Sequence, residues 1–459
     1  MSRRNSQIGL LIFIVALVCR LAPVAGARHL GIALDDMFQY DMLARSLLAG
    51  DGYRWYAQDD LNLITRYIKM DIPPSYDPRG VRTSWRAPLY PLFLAGVYAL
   101  SGLKARLFAA RFIQAILGAL LTPGTYLLAR RLGRSKRASH IASLIVALYP
   151  MLVLYPLALV TENLFGLLLL FSTLVIVQAK RARDWALAGL LLGGATLTRS
   201  IVIGFVLVAV LWVWRKSGPR HTATMLTSFA MLTVPWSVRN TLLHGRPMFI
   251  ESSLGYNLYL GYHPQGTGTF SANFSLDLLT IMDDAERDAR GRQLAWEFIR
   301  ADPARVPYLA VRKLGYFWGL EKRAPMYFYS NNMVGHWPPW LLAAVLTVLC
   351  APLVILLPAA IVGASNRPWN RVKILVLLMA GYYIGVHMLI LAEDRFHLAL
   401  VPFMAALAGP PRFQSRWQRF VAAALIVLAL ANWGWELARD WPMLAQLFSA
   451  NGHMAGFTY

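Results

Sequence analysis

The sequence predicts an all-α polytopic membrane protein, and three observations carry that prediction. Apolar residues make up 57% of the 459-residue chain, and charged residues only 15%. The apolar residues gather into repeated runs of about bilayer-spanning length, and mean hydropathy is +0.47. The basic residues behind the net charge of +22 fall in short clusters between those runs. These are "RRLGRSKR" (130–137), "KRAR" (180–183), "RK" with Arg220, "RPWNRVK" (367–373), and Arg412, Arg416 and Arg419. Clusters of this kind mark cytoplasmic turns rather than a nucleic-acid surface, so no nucleic-acid partner is expected.

About eleven spans follow in order: 8–25, 107–129, 138–157, 162–179, 185–198, 200–214, 222–236, 338–362, 374–391, 397–409 and 420–436. The first resembles a secretory signal, with "MSRRNSQ" ahead of an apolar run and "PVAGA" behind it. It is read as an uncleaved anchor with a cytoplasmic N-terminus. The stretch Ala87–Gly102 carries Pro88 and Pro91 in its first turns. At ~1.5 Å per residue it falls short of the ~30 Å hydrocarbon core. Counted as a span, it would put "RRLGRSKR" outside and reverse every later turn. It is therefore predicted to lie at the outer interface.

That topology divides the chain into a transmembrane module (1–236) with an outer loop at 26–106, a small mixed outer domain (237–337), and C-terminal helices with a short outer tail (338–459). The segment 305–320 reads as a further helix on the outer interface, with Tyr308, Tyr316 and Trp318 at headgroup depth. The spans at 185–198, 200–214 and 397–409 are short, so their tips at Arg199 and Glu393–Arg395 stop within the outer leaflet. Of 23 acidic residues, Asp184 alone is assigned to the cytoplasm.

The motifs that would announce nucleotide, zinc-protease or serine-hydrolase chemistry are missing. Cys19 and Cys350 lie in apolar runs and build no disulfide framework. No metal site and no cofactor is required by the sequence, although outer-face carboxylates leave a divalent cation open. What recurs is carboxylate or arginine at the outer boundary: Asp35 and Asp36, Arg86, Glu162, Arg199, Arg239, and Asp394 with Arg395. Arginine forks match phosphate oxygens, and a carboxylate nearby can deprotonate a hydroxyl that attacks a sugar carbon. Each residue also has a plainer role. Asp35 fits a helix N-cap, Glu162 a helix-start carboxylate, Arg86 an interfacial side chain reaching headgroups, and Arg395 a partner for Glu393 or Asp394. Tyr256 and Tyr259 stand in a Gly-rich stretch read as a substrate loop.

The succession "DD…Y…LARSLLAGDGY", "RAPLYPLFLA", "TENLF", "LLGGATLTRS", "PWSVRN", "GYNLYLGYHPQGTG" and "EDRFHLALVPF" resembles the GT-C superfamily of polyprenyl-phosphate-sugar-dependent glycosyltransferases. The likeness is to the family 39, protein-mannosyltransferase-like group, related to aminoarabinose lipid A transferases. It implies a GT-C-like bundle with interfacial helices in the first outer loop. It implies Asp35 as catalytic base with Asp36 beside it, Glu162 as the second acidic position, and Arg86 on the carrier phosphate. Trp85 departs from relatives that carry an acid there, and the region after the last span is short for a lipid A transferase.

The function expected is inverting transfer of a sugar from a polyprenyl-phosphate donor to a protein, lipid or polysaccharide acceptor on the outer face of an inner membrane. The alternatives are a flippase for lipid-linked sugars and a non-catalytic assembly partner. A transporter predicts midplane charges and an internal repeat, whereas the acids here lie at one boundary.

Overall fold

The computed structural model describes residues 3–70, 72 and 74–457. Every predicted span falls on helix, and the fold is an all-α membrane bundle. Among the described residues six helices are long and apolar enough to cross a membrane: Asn5–Gly26, Arg106–Arg131, Ser200–Ser217, Pro339–Ser365, Arg371–Leu389 and Arg416–Leu447. A seventh is the pair Lys136–Leu148 and Pro150–Leu157, bent by 56°. The other predicted spans correspond to Glu162–Gln178, Ala182–Thr198, Pro219–His244, and the 3-10 turn Asp394–Leu400 that leads into Val401–Leu407.

The bend has a local cause. Pro150 has no N–H to offer the carbonyl four residues back, which is Val146. Arg20, fully buried in the first helix, fills the gap. Its guanidinium donates to the carbonyls of Val146 and Ala147, both at 2.9 Å. Gly118 makes the room, since a Cβ there would stand 2.9 Å from Arg20 Nε.

The basic clusters also have structural work. Helix C-termini leave carbonyls without intrahelical donors, and cations suit them. Lys216 reaches the carbonyls of Ile176 and Val177 at 3.0 Å, where Glu162–Gln178 ends. Arg134 caps Leu407, and Lys373 donates to Gly363 at 2.9 Å. One face of the bundle thus uses its positive charge to close three helices.

The Leu89–Ser101 helix buries Tyr90, Leu94 and Tyr98 and leaves Leu92 and Leu100 exposed, as a short helix lying on a bundle should. The segment 237–337, expected to be a mixed outer domain, is helical. Its elements are Leu254–Tyr262, Ala272–Ser275, Asp284–Ala301, Arg305–Phe317 and Arg323–Ser330. Among the described residues the one strand pair is Arg54–Trp55 against Val81–Arg82, in the 26–106 segment. The two segments share a core in which Trp55, Trp85, Tyr256, Tyr259 and Phe274 pack together. Buried Asp284 ties them, accepting from Thr83 Oγ1 at 2.5 Å and the Ser84 amide at 2.7 Å, while Arg287 lies over both tryptophans. This fixes the strand that leads into Arg86.

Candidate active site

Asp35 and Asp36 face different partners because a helix starts between them. Asp35 is the N-cap of Asp36–Ala49, and its carboxylate accepts from the Met37 amide at 2.8 Å. The residue caps the helix and is exposed. Asp35 keeps contact with solvent in a recess where desolvation, and then the adjacent Asp36 charge, raise its pKa to about 6.

Asp36 turns inward. One oxygen pairs with Arg86, and the other lies 3.1 Å from Arg395 Nη2. Burial alone would raise this carboxyl, but Arg86 and Arg395 outweigh it and hold it well below the usual carboxylate range. A carboxyl held low by two guanidiniums is a weak proton acceptor, which suits an anchor better than a base.

Each arginine is oriented from a second side. Arg86 donates through Nε to Gln39 Oε1 at 2.9 Å and lies 5.3 Å from the Tyr40 ring centroid. The same Gln39 oxygen receives Trp85 Nε1 at 3.2 Å, so Trp85 helps aim the clamp. Arg395 places Nε 2.9 Å from Glu393. Two segments 359 residues apart in sequence are thus joined through one carboxylate.

Glu162 opens the Glu162–Gln178 helix and faces Arg199, the residue that ends Ala182–Thr198, at 3.5 Å. Arg199 lies between the rings of Phe165 and Phe396, at 5.6 and 5.0 Å. Among the described residues its Nη1, and Oε1 of Glu162, are buried with no hydrogen-bond partner. Buried orphans of this kind cost free energy unless they serve a ligand.

Other expected residues lie elsewhere in the molecule. Arg239 spends its donors on loop carbonyls, Thr83 at 2.6 Å and Tyr53 at 3.4 Å, and packs on Trp236. It supports the strand before Arg86 and stands apart from the Asp36 cluster. Tyr256 and Tyr259 are buried on a helix rather than carried by a loop. Their hydroxyls are taken by the Ser275 carbonyl at 3.0 Å and Asp277 at 2.9 Å. Gly255 serves close packing against Asp284–Ala301, whereas Gly266 and Gly268 lie in the loop that follows the helix, and composition alone does not distinguish the two uses. Gln39 and Glu251 carry no signal in the sequence, whereas Glu393 meets Arg395 as its plainer reading expects. Glu251 accepts from Ser200 Oγ and from the Ala87 amide at 3.2 Å, and so fixes the chain beside Arg86 and Arg199. Among the described residues no group of three His, Cys, Asp or Glu is placed to hold a metal ion.

Comparison with curated protein sequences finds no match. Among solved structures, the chain is similar to the archaeal oligosaccharyltransferase AglB from Archaeoglobus fulgidus, in complex with an inhibitory peptide and a dolichol-phosphate. Identity is 13% and the TM-score 0.49, over 94% of this chain and 55% of that one. It is also similar to ArnT from Cupriavidus metallidurans bound to undecaprenyl phosphate, at 15% identity and a TM-score of 0.39, over 97% and 80% of the two chains. The chain spans little more than half the length of the archaeal enzyme. Residues 85–238 match the dolichyl-phosphate-mannose-protein mannosyltransferase family model. That segment carries Arg86, Glu162 and Arg199 in the geometry described.

Proposed function

We propose that this protein transfers a sugar from a polyprenyl-phosphate donor to a hydroxyl-bearing acceptor at the extracytoplasmic face of the inner membrane, with inversion at the sugar carbon. The observation that carries the reading is the division of labour between adjacent aspartates. Asp36 bridges Arg86 and Arg395, while Asp35, one residue away, stays accessible with its pKa near 6.

The chemistry follows from those positions. Asp35 takes the proton of the acceptor hydroxyl, and the oxygen attacks the anomeric carbon from the side opposite the phosphate. The new C–O bond forms as the bond to phosphate oxygen breaks, and the lipid phosphate leaves with the electron pair. Arg86, Arg395 and Arg199 stabilise the charge that grows on it, because guanidinium donors strengthen away from bulk water. Asp36 positions two of the three. Glu162 positions the third.

The test is transfer from radiolabelled polyprenyl-phosphate sugars in detergent, with membrane extract as acceptor. Wild type moves label and Asp35→Asn does not, while both bind undecaprenyl phosphate. Equal transfer by the two proteins removes Asp35 as the base. Donor binding without transfer by wild type favours the flippase or assembly reading.

A further inference from the structure

The turn Glu393–Arg395 has two sides. Glu393 and Arg395 belong to the Asp36 cluster, whereas Asp394 between them lines a separate cavity of about 290 Å³. The other walls come from the 265–271 loop, the outer helices Arg305–Phe317 and Arg323–Ser330, and the far end of Arg416–Leu447. This cavity lies between parts of the chain beyond the apolar spans, and none of the site residues expected from sequence lines it except through Asp394.

Its lining mixes apolar side chains with charged and hydroxyl groups, and the formal charges cancel. Lys322, Arg323 and Arg439 stand against Asp394, Glu436 and Asp440. Lys322 pairs with Glu436 and lies 2.9 Å from Asp440. Arg439 holds Asp440 and reaches the Tyr316 hydroxyl at 3.2 Å, and Thr267 meets that hydroxyl at 2.8 Å. Arg323 donates to Thr269 at 3.0 Å. Lys322 and Glu436 are buried and Asp440 half-buried, and charges paired at that depth are a poor device for stability, since apolar packing of equal volume serves as well or better. Ammonium, guanidinium, carboxylate and hydroxyl groups line the cavity together with Tyr316 and Tyr327. That pattern fits a ligand with many hydroxyls, and the balanced charge disfavours a phosphate or a polycation.

We propose that this cavity binds a neutral carbohydrate, the glycan end of the acceptor, and holds it across the Glu393–Arg395 turn from the lipid-phosphate clamp. The inference rests on the transferase reading and names the acceptor class. The cavity volume suits one or two hexose rings. An acceptor seated there approaches the reaction from the aqueous side, while the donor chain stays among the spans.

The experiment is saturation-transfer NMR on the full-length protein in detergent, with a panel of neutral methyl hexosides as probes. Undecaprenyl phosphate binding is measured in parallel. The variants are Thr267→Trp, which fills the mouth from an exposed position, and Arg439→Gln, also exposed, which removes a charged donor. We expect at least one hexoside to saturate on wild type and to weaken about tenfold in each variant, with lipid-phosphate binding unchanged. Asp36→Asn should leave hexoside binding intact. If no hexoside binds while undecaprenyl phosphate does, this inference falls and the donor reading stands. Hexoside binding that ignores both variants also overturns it. Cavity-dependent hexoside binding without lipid-phosphate binding supports the carbohydrate site and refutes the donor reading.

Discussion

Replacing Asp36 by asparagine separates the two roles assigned to the aspartate pair. The change removes the anion between Arg86 and Arg395 and leaves the size of the side chain almost unchanged. Two opposite charges at about 4 Å interact by ~4 kcal/mol at an effective dielectric near 20. The three side chains are 20–27% exposed, so solvent screening and rotamer cost reduce the net loss of stability to about 1–3 kcal/mol. The kinetic signature is sharper. Asp35 works as a base only when ionised, so the rate should rise with pH through about 6 and level off above it. Burial is the first cause of that raised value and the Asp36 charge the second. Asp36→Asn should therefore lower the midpoint by less than about one pH unit, without abolishing it. Asp35→Asn should lose about 10²–10⁴-fold in rate and lose the limb near pH 6 altogether. Transfer measured from pH 4 to 9 on the three proteins decides the matter. An active Asp35→Asn beside an inactive Asp36→Asn would reverse the assignment, and an unmoved midpoint in Asp36→Asn would show that the two carboxyls are not coupled.

Three further outcomes are expected. Arg86→Lys keeps the charge but loses the fork shared between Asp36 and Gln39, so the KM for the lipid donor should rise about tenfold with a smaller change for the acceptor. Glu162→Gln and Arg199→Lys, made singly and together, should show a coupling of about 0.5–3 kcal/mol in kcat/KM, because the two side chains face each other across the site. Gly291→Ala brings a Cβ to 2.5 Å from the Gly255 carbonyl group in the outer helices, and should cost about 1–3 kcal/mol in a thermal melt followed by tryptophan fluorescence. Gly96→Ala, with nothing within 4 Å of the added carbon, is its control.

The sequence was most legible where the physics is local. Run length and basic clusters gave the helices in order, and the two prolines marked 87–102 as a helix too short to cross. The cap at Asp35 and the helix-start acid at Glu162 were readable from residue type and position. Other features depend on pairing across the whole chain and leave no local mark. Nothing near Asp36 announces Arg395, and nothing near Arg86 announces that Gln39 will aim it. Arg239 shows the opposite failure. It has the right residue type near the right boundary, but it is spent on the carbonyls of Tyr53 and Thr83. The Gly-rich stretch around Tyr256 reads in the sequence as a substrate loop. There, glycine instead permits two helices to touch, and Gly255 donates its amide to Asp288 at 2.6 Å.

The site lies where helices stop, and this explains why so many charges sit together at the edge of an apolar bundle. Asp36–Ala49 and Glu162–Gln178 begin at the cluster, Ala182–Thr198 ends at Arg199, and the 393–395 turn interrupts the chain between two spans. Helix starts present unpaired amides and a positive dipole end, which favours an anion. Three arginines added to that field would repel one another, and their mutual approach has to be balanced. Asp36, Glu162 and Glu393 supply the balance: Asp36 between Arg86 and Arg395, Glu393 also at Arg395, and Glu162 at Arg199. On this account the acids set the affinity for a lipid phosphate as well as the geometry. Neutralising one should tighten phosphate binding while slowing transfer, because a clamp that holds the leaving group too well before reaction gains nothing in the transition state. Asp35 stands outside this balance. Among the described residues no arginine forms an ion pair with it, and burial with the neighbouring Asp36 charge outweighs the pull of Arg395 and raises its pKa into the range where a base is useful.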